Sequence, residues 1–99
     1  MDYNLQLYIT VNHTEQFGGV TRFRTGDKLI LRKDYDNIYD DEAIAVFTLK
    51  NVKCGYVANS VDSVARGTYS SGRIYDKFNE EVEGIIRFIL DEKMIVEVL

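Results

Sequence analysis

The sequence predicts a mainly β domain, a small six-stranded β-barrel with one or two short helices. Three observations support this prediction. Apolar and polar residues alternate in several short segments, a pattern typical of strands with one buried face. The length of 99 residues suits a single domain, predicted over 1–99. Six strands in so short a chain close most economically into a barrel, because closure removes the exposed edges that favour aggregation.

Three strands are predicted in the first half of the chain. Residues 3–11 place an apolar side chain at every second position, and residues 27–33 alternate in the same way except at Ile30. The segment between them is polar and contains Gly18-Gly19, so it is predicted as a loop, because adjacent glycines give a freedom of φ that a strand interior does not use. Residues 43–49 are apolar on both faces, as expected of a strand covered on two sides.

The middle of the chain predicts a fourth strand and a helix. Residues 53–58 are strand-like, and Gly55 within them predicts a bend, a bulge or the close approach of another backbone. The next residues, Asn59 and Ser60, are types that cap helix N-termini, and Gly67 suits the position just after a helix. Residues 61–66 are therefore predicted as a two-turn helix.

The C-terminal third predicts the last two strands. Residues 68–79 are ambiguous, since apolar residues with helical spacing are accompanied by Gly72, which lowers helix stability. Residues 82–90 and 94–99 are both strand-like. The three residues between them have hairpin length, although they lack the glycine that such short loops favour.

The charge of the chain excludes one class of nucleic-acid binding. A net charge of −4 argues against a protein that wraps a long duplex, since that mode needs a broad basic surface. The charge is also unevenly divided: residues 22–33 carry five Lys/Arg and one Asp, whereas residues 34–42 carry five acids and no base. A small basic strip beside an acidic loop suits a partner that is anionic along most of its length but ends in an uncharged hydrogen-bond donor.

The hydrophobic segments bear on the cellular compartment, and the single cysteine bears on disulfide and zinc chemistry. No apolar run reaches the ~20 residues of a membrane span, and the first ten residues lack the basic start and apolar block of a secretion signal. We therefore expect a cytoplasmic protein with no membrane partner. Cys54 cannot form an intrachain disulfide or, with a single histidine, a zinc site, and we expect it in the core.

The acidic loop, residues 34–42, is the candidate site. It presents Tyr35 and Tyr39 together with Asn37 and Asp40. One interpretation is a self-bonded turn, in which Asn37 and Asp40 cap nearby backbone groups and Tyr39 packs against the barrel end. The other is recognition of single-stranded nucleic acid, in which tyrosines stack on bases and a basic strip holds phosphates. Asp40 would then repel the phosphate of an internal nucleotide and accept a hydrogen bond from a terminal hydroxyl.

Metal-dependent and nucleophilic chemistry have less support in the sequence. Asp34 and Asp36 resemble the start of a calcium loop, but the sixth position counted from Asp34 is Tyr39 instead of glycine, and the twelfth is Ala45 instead of glutamate. A magnesium nuclease would need a second acidic cluster with a lysine partner, and the sequence shows none. His13 lacks a recognisable Ser or Cys nucleophile. We therefore expect no metal, no cofactor and no enzymatic activity.

A longer pattern of motifs runs through the chain. It consists of Asn12-His13, Phe17-Gly18, Gly26, Leu29, Leu31, Lys33-Asp34, Asn37, Tyr39-Asp40, Ala43-Ile44-Ala45-Val46 and Gly55-Tyr56-Val57. This pattern resembles the HIRAN domain over roughly residues 5–90, and its most specific part is N-x-Y-D-x-x-A-I-A-V with the downstream G-Y-V. The resemblance implies an OB-like β-barrel. The family occurs as a stand-alone bacterial domain and as a module of DNA-remodelling helicases, where it binds the free 3′ end of single-stranded DNA.

The resemblance also implies roles for particular residues. Asn37 and Asp40 would hydrogen-bond the terminal nucleotide, and Tyr39 would stack on a base or sugar. Tyr56 would line the same pocket. The implied partner is therefore the 3′ end of single-stranded DNA, with a protein partner as a further possibility.

Two departures from the family pattern bear on affinity rather than on the fold. The DNA-binding members usually have a basic residue followed by two tyrosines in the upstream loop, where this chain has His13, then residues 14–16, then Phe17. His13 and Phe17 are therefore the candidates there. A lysine of those members that follows the G-Y-V strand is replaced by Asn59. Both departures remove positive or stacking character.

Three functions remain open from the sequence. The favoured function is nucleic-acid binding, with recognition of the free 3′ end of single-stranded DNA. The second is a protein-interaction or regulatory domain that uses the same barrel without binding DNA, which the net negative charge and Asn59 favour. The third is a small metal-dependent nuclease.

Overall fold

A computed structural model of the protein describes residues 6–99. The strands are β1 (Leu7–Asn12), β2 (Lys28–Lys33), β3 (Ile44–Thr48), β4 (Lys53–Val57), β5 (Glu81–Leu90) and β6 (Lys93–Val98). They form a closed antiparallel barrel in the order β1-β4-β3-β2-β5-β6. A 3₁₀ helix, Thr14–Phe17, follows β1, and a short helix α1 (Ser71–Ile74) with a 3₁₀ turn (Tyr75–Lys77) precedes β5. The mainly β fold class and the six-stranded barrel are confirmed.

The six observed strands overlap the six predicted ones. The predicted strand 3–11 overlaps β1, and its residues 3–5 lie outside the described part of the chain. The turn between β5 and β6 forms without glycine because Asp91 adopts a left-handed conformation with φ 46°, which aspartate tolerates better than most residues. Across residues 6–99, every helix falls short of the length and hydrophobicity that a bilayer span requires.

The helix predicted over 61–66 is wrong. The segment forms only a hydrogen-bonded turn, in which Val64 N donates to Ser60 O at 3.1 Å. Asn59 does not cap this segment, because its side-chain oxygen accepts the N–H of Gly72 in α1 and its amide nitrogen donates to the acidic loop. The Ala65 amide donates to a threonine hydroxyl on β1 at 3.1 Å. Tertiary hydrogen bonds therefore use the groups that a helix would need, and the only α-helix of residues 6–99 lies in the segment that was ambiguous.

The barrel interior is filled by side chains from alternate strand positions. The buried cluster comprises Ile9, Val11, Val20, Leu29, Leu31, Ile44, Val46, Cys54, Val57, Ile74, Ile86, Met94 and Val96. Cys54 is fully buried, as predicted. Burial raises the pKa of its thiol to about 11, so the thiol is neutral near pH 7.

The barrel closes at a short seam between β1 and β4. Asn12 of β1 is registered with Tyr56 of β4. Gly55 permits this approach, because a Cβ at that position would stand 2.7 Å from Asn12 O and 2.7 Å from Val11 Cγ1. The β3–β4 register also shifts nearby, as a bulge does. The predicted close approach of another backbone is thus confirmed, and it places Tyr56 beside the end of β1.

Replacing this glycine should loosen the seam. Gly55→Ala is expected to lower the free energy of unfolding by about 1–3 kcal/mol, the usual cost of overpacking, because one of the atoms it meets is backbone. Urea unfolding followed by far-UV circular dichroism measures the change. Lys50→Ala, in an exposed turn, serves as the control and should stay within about 0.5 kcal/mol of the parent. Equal stability of Gly55→Ala and the parent would contradict the tight seam.

Candidate nucleic-acid interface

A cleft of about 730 Å³ opens beside the β1–β4 seam. Five of the six predicted site residues line it: His13, Asn37, Tyr39, Asp40 and Tyr56. The sixth, Phe17, lies behind them, with its ring centroid 6.1 Å from that of Tyr56. The fold therefore brings all six candidates into one region, although they come from three separate parts of the sequence.

The acidic loop is shaped by its own hydrogen bonds. Asn37 Oδ1 accepts the backbone N–H of Tyr39 at 2.9 Å and that of Asp40 at 3.0 Å, so the self-bonded turn is present. The Tyr39 ring does not pack against the barrel, however, because this residue is 91% exposed. Tyr35 is also exposed, but its hydroxyl donates to Glu80 Oε1 at 2.9 Å, away from the cleft lining. The turn thus serves to present Tyr39 to solvent at the rim of the cleft.

The Asp40 carboxylate is held in a fixed orientation at the cleft wall. Its Oδ1 accepts the backbone N–H of Glu42 at 2.9 Å, and its Oδ2 accepts Asn59 Nδ2 at 2.9 Å. Asn59 Oδ1 in turn accepts the Gly72 N–H at 2.8 Å, which ties the loop to the start of α1. An ionised carboxylate has about four acceptor sites, so these two bonds leave capacity for a ligand that donates a hydrogen bond.

Another part of the cleft lining is an aromatic wall formed by His13 and Tyr56, with a cation next to it. His13 stands edge-on to Tyr56, with ring centroids 6.5 Å apart and an interplanar angle of 83°. The Tyr56 hydroxyl accepts Lys53 Nζ at 3.0 Å and donates to Asp34 Oδ2 at 3.4 Å. Lys53 therefore places a positive charge next to Tyr56.

Sequence reasoning missed several residues of this region, including Asn12, Asn59 and Lys53. Asn12 lines the cleft, and its Oδ1 is the one buried side-chain polar atom within 6–99 that has no hydrogen-bond partner. Asn59 was predicted as a helix cap and as the replacement of a lysine, whereas its amide positions Asp40. Lys53 was assigned only to the strand predicted over 53–58. Asn12 had a usable signal, since it immediately precedes His13 in the motif, but the pairing of Asn59 with Asp40 spans 19 residues and had none.

The basic strip of residues 22–33 does not lie along the cleft as a whole. Lys33 Nζ donates to the Phe78 carbonyl at 2.8 Å, and Arg32 Nε pairs with Glu81 Oε1 at 3.0 Å. Lys28 begins β2, at the end of the strand remote from the acidic loop. These residues therefore do not form the expected continuous basic strip beside the acidic loop, although the Arg32 side chain remains 35% exposed. Within 6–99, no group of three or more His, Cys, Asp or Glu side chains is placed to hold a metal ion.

Solved structures share this architecture. The HIRAN domain of human HLTF aligns with 94% of this chain and 72% of its own, with a TM-score of 0.68 and 19% sequence identity. A protein from Lactobacillus plantarum aligns with 94% of this chain and 90% of its own, with a TM-score of 0.65 and 25% identity. No protein-family model and no curated protein matches the sequence. The resemblance to the HIRAN domain is therefore confirmed at the level of the fold.

The turn at Asn37 provides a test of the site's architecture. Asn37→Ala removes the acceptor for two backbone N–H groups, so the loop should lose about 0.5–1.5 kcal/mol of local stability per hydrogen bond. Amide hydrogen exchange of Tyr39 and Asp40 should accelerate accordingly. Asn37→Asp keeps the acceptor oxygen and is the matched control. Unchanged exchange in Asn37→Ala would show that the loop is held by other contacts.

Proposed function

We propose that this barrel binds single-stranded nucleic acid and recognises the free 3′ end of a DNA strand. The observation that carries the proposal is the placement of an exposed aromatic ring, Tyr39, and an oriented carboxylate, Asp40, in one cleft. Rings stack on bases irrespective of sequence, and a carboxylate distinguishes a terminal hydroxyl from a phosphodiester. The same roles are implied by the HIRAN resemblance.

Stacking is the proposed source of affinity. Tyr39 is 91% exposed, so stacking a base on its ring removes the apolar faces of both from water. This burial contributes favourably to the free energy of binding. Tyr56 and His13 line the same cleft, so aromatic surface besides Tyr39 is available to the terminal nucleotide. Base stacking of this kind contributes about 1–3 kcal/mol per base.

Asp40 is the proposed source of end recognition. A terminal 3′-hydroxyl can donate a hydrogen bond to the carboxylate, and a bond to a charged group contributes about 1.5–3 kcal/mol. An internal nucleotide has no proton on its 3′ oxygen and carries a phosphate instead. Two like charges about 4 Å apart near a protein surface repel by about 4 kcal/mol. The repulsion exceeds the contribution of one hydrogen bond, so a continuing strand is disfavoured.

Neutral donors would hold the phosphate of the terminal nucleotide. Gln16, Ser60 and Ser63 line the cleft with amide and hydroxyl groups. Hydrogen bonds from neutral groups release fewer condensed counterions than lysine or arginine contacts do. Binding of the terminal nucleotide should therefore depend only weakly on salt, which is consistent with a protein of net charge −4.

A second candidate, a protein-interaction domain, is favoured by a separate apolar groove. This groove has a volume of about 410 Å³ and includes Tyr8, Phe88, Leu90 and Ile95. Phe88 is 58% and Leu90 52% exposed. Contiguous exposed apolar surface marks interaction sites. The two candidates differ in a simple observable, because a domain that only binds protein gives no titration with oligonucleotides.

End recognition can be tested with three forms of one DNA strand. A 3′-hydroxyl strand should bind the protein more than about 100-fold more tightly than a 3′-phosphate strand or a circular strand, because the hydrogen bond alone is worth about 10-fold to 100-fold and the avoided repulsion adds to it. Fluorescence anisotropy measures the affinities. Asp40→Asn keeps the shape and removes the charge, so it should narrow the gap between hydroxyl and phosphate ends. Equal affinity for all three strands would reject end recognition, and an absence of binding would favour the interaction domain.

The stacking role of Tyr39 predicts a loss of affinity without a loss of stability. Tyr39→Ala should weaken binding of the 3′-hydroxyl strand by about 1–3 kcal/mol, while the melting temperature stays nearly unchanged because the ring is solvent-exposed. Tyr39→Phe keeps the ring and should retain most of the affinity. A large fall in melting temperature with unaltered binding would mean that the ring stabilises the fold instead.

A further inference from the structure

A row of cations and rings leaves the cleft at Tyr56 and crosses the outer face of the barrel. Lys53 Nζ lies 5.0 Å from the ring centroid of Tyr56 and 5.9 Å from that of Phe47. The Arg32 guanidinium lies over the Phe47 ring, with Cζ 4.5 Å from the centroid. We call Lys53, Phe47 and Arg32 the outer row. None of the three lines the cleft itself.

The register of the sheet fixes the order of this row. Phe47 of β3 is the direct partner of Lys53 of β4. Arg32 of β2 is the partner of Ala45, which is two residues from Phe47 and therefore on the same face of β3. The intervening Val46 points into the core. The row thus crosses β4, β3 and β2 in order, directly from Lys53 to Phe47 and then diagonally from Phe47 to Arg32.

The row has a simpler structural interpretation, because cation–aromatic pairs also stabilise folded surfaces. Two features point to a ligand as well. The row is continuous with the cleft, since Lys53 Nζ donates to the hydroxyl of Tyr56, which is a cleft residue. The Arg32 side chain is also 35% exposed, so its charge is accessible to a phosphate. Alternating positive groups and stacking surfaces are the combination by which single strands are bound.

We propose that the outer row binds the nucleotides that precede the terminal one. This inference rests on the proposed function and extends the site along the strand. Neighbouring strands lie about 4.8 Å apart, so the row spans about 10 Å from β4 to β2, or about three nucleotides of a stacked strand at 3.4 Å each. Lys53 and Arg32 contact phosphates, and bases stack on Phe47 or on the Arg32 guanidinium plane.

Glu81 sets the strength of this extension. Its carboxylate pairs with Arg32 at 3.0 Å and so competes with a phosphate for the guanidinium. The other partner of Arg32, Asn51 Oδ1 at 2.8 Å, is neutral and does not repel a phosphate. Removing the charge of Glu81 should therefore strengthen the binding of an oligonucleotide that is long enough to reach β2. The binding of a shorter oligonucleotide should be unaltered.

Strand length provides the test. Titration of the full chain with 3′-hydroxyl thymidine dinucleotide and hexanucleotide, followed by NMR chemical shifts, should give a higher affinity for the hexanucleotide. Phe47→Ala and Arg32→Gln should each lower the hexanucleotide affinity about tenfold, within the range for loss of one stacked base, and leave the dinucleotide affinity unchanged. Glu81→Gln should raise the hexanucleotide affinity alone. Arg32→Gln should also reduce the salt slope of log affinity by about 0.7, the value for one phosphate on a single strand.

Two control variants show whether a loss of hexanucleotide affinity is specific to the outer row. Phe88→Ala removes an exposed ring from β5, and Arg24→Gln removes an exposed charge from a loop; both should leave the two affinities as in the parent. If the parent binds dinucleotide and hexanucleotide equally, or if Arg32→Gln and Glu81→Gln leave the hexanucleotide affinity unaltered, the outer row is structural and only this inference fails. If neither oligonucleotide binds, the proposed function fails together with it.

Discussion

The site depends on the closure of the barrel between β1 and β4. Asn12 and His13 come from the end of β1, and Tyr56 comes from β4, so these side chains share a wall only because the two strands meet. The meeting requires Gly55, where a Cβ would overlap the β1 backbone. Residues 43 positions apart in the sequence, His13 and Tyr56, are thereby brought to a ring separation of 6.5 Å. The aromatic wall is a product of closure rather than of either strand alone.

The acidic loop forms another part of the cleft lining, and internal and tertiary hydrogen bonds hold its shape. Asn37 folds the loop on itself through two backbone N–H groups, and Asn59 fixes the Asp40 carboxylate from outside. Both asparagines act through neutral amides. The loop therefore keeps its negative charge while its shape is restricted, which is the condition for a carboxylate to discriminate between ligands by charge.

Local patterns in the sequence predicted what depends on neighbours in the chain. Alternation located the strands, and the Asn37-x-Tyr39-Asp40 spacing located the turn, because both are set within a few residues. The helix predicted over 61–66 failed because the amides and caps of that segment bond to distant partners. The family comparison likewise presented Asn59 only as the replacement of a lysine, because its hydrogen bond to Asp40 joins residues far apart in the sequence. The contribution of Lys53 became evident only from the register between β3 and β4, which no local pattern specifies.

The asparagine at position 59 has a consequence for selectivity. A lysine there would form an ion pair with Asp40 and offset its charge, so the carboxylate would repel a phosphate less. The Asn59 amide orients Asp40 at 2.9 Å without offsetting its charge. The total attraction for a polyanion is lower, while the difference between a terminal hydroxyl and a phosphodiester is greater, because specificity is a difference between two binding free energies. Cations on the outer row lie away from Asp40, so they would attract a DNA strand without weakening the difference between a terminal hydroxyl and a phosphodiester.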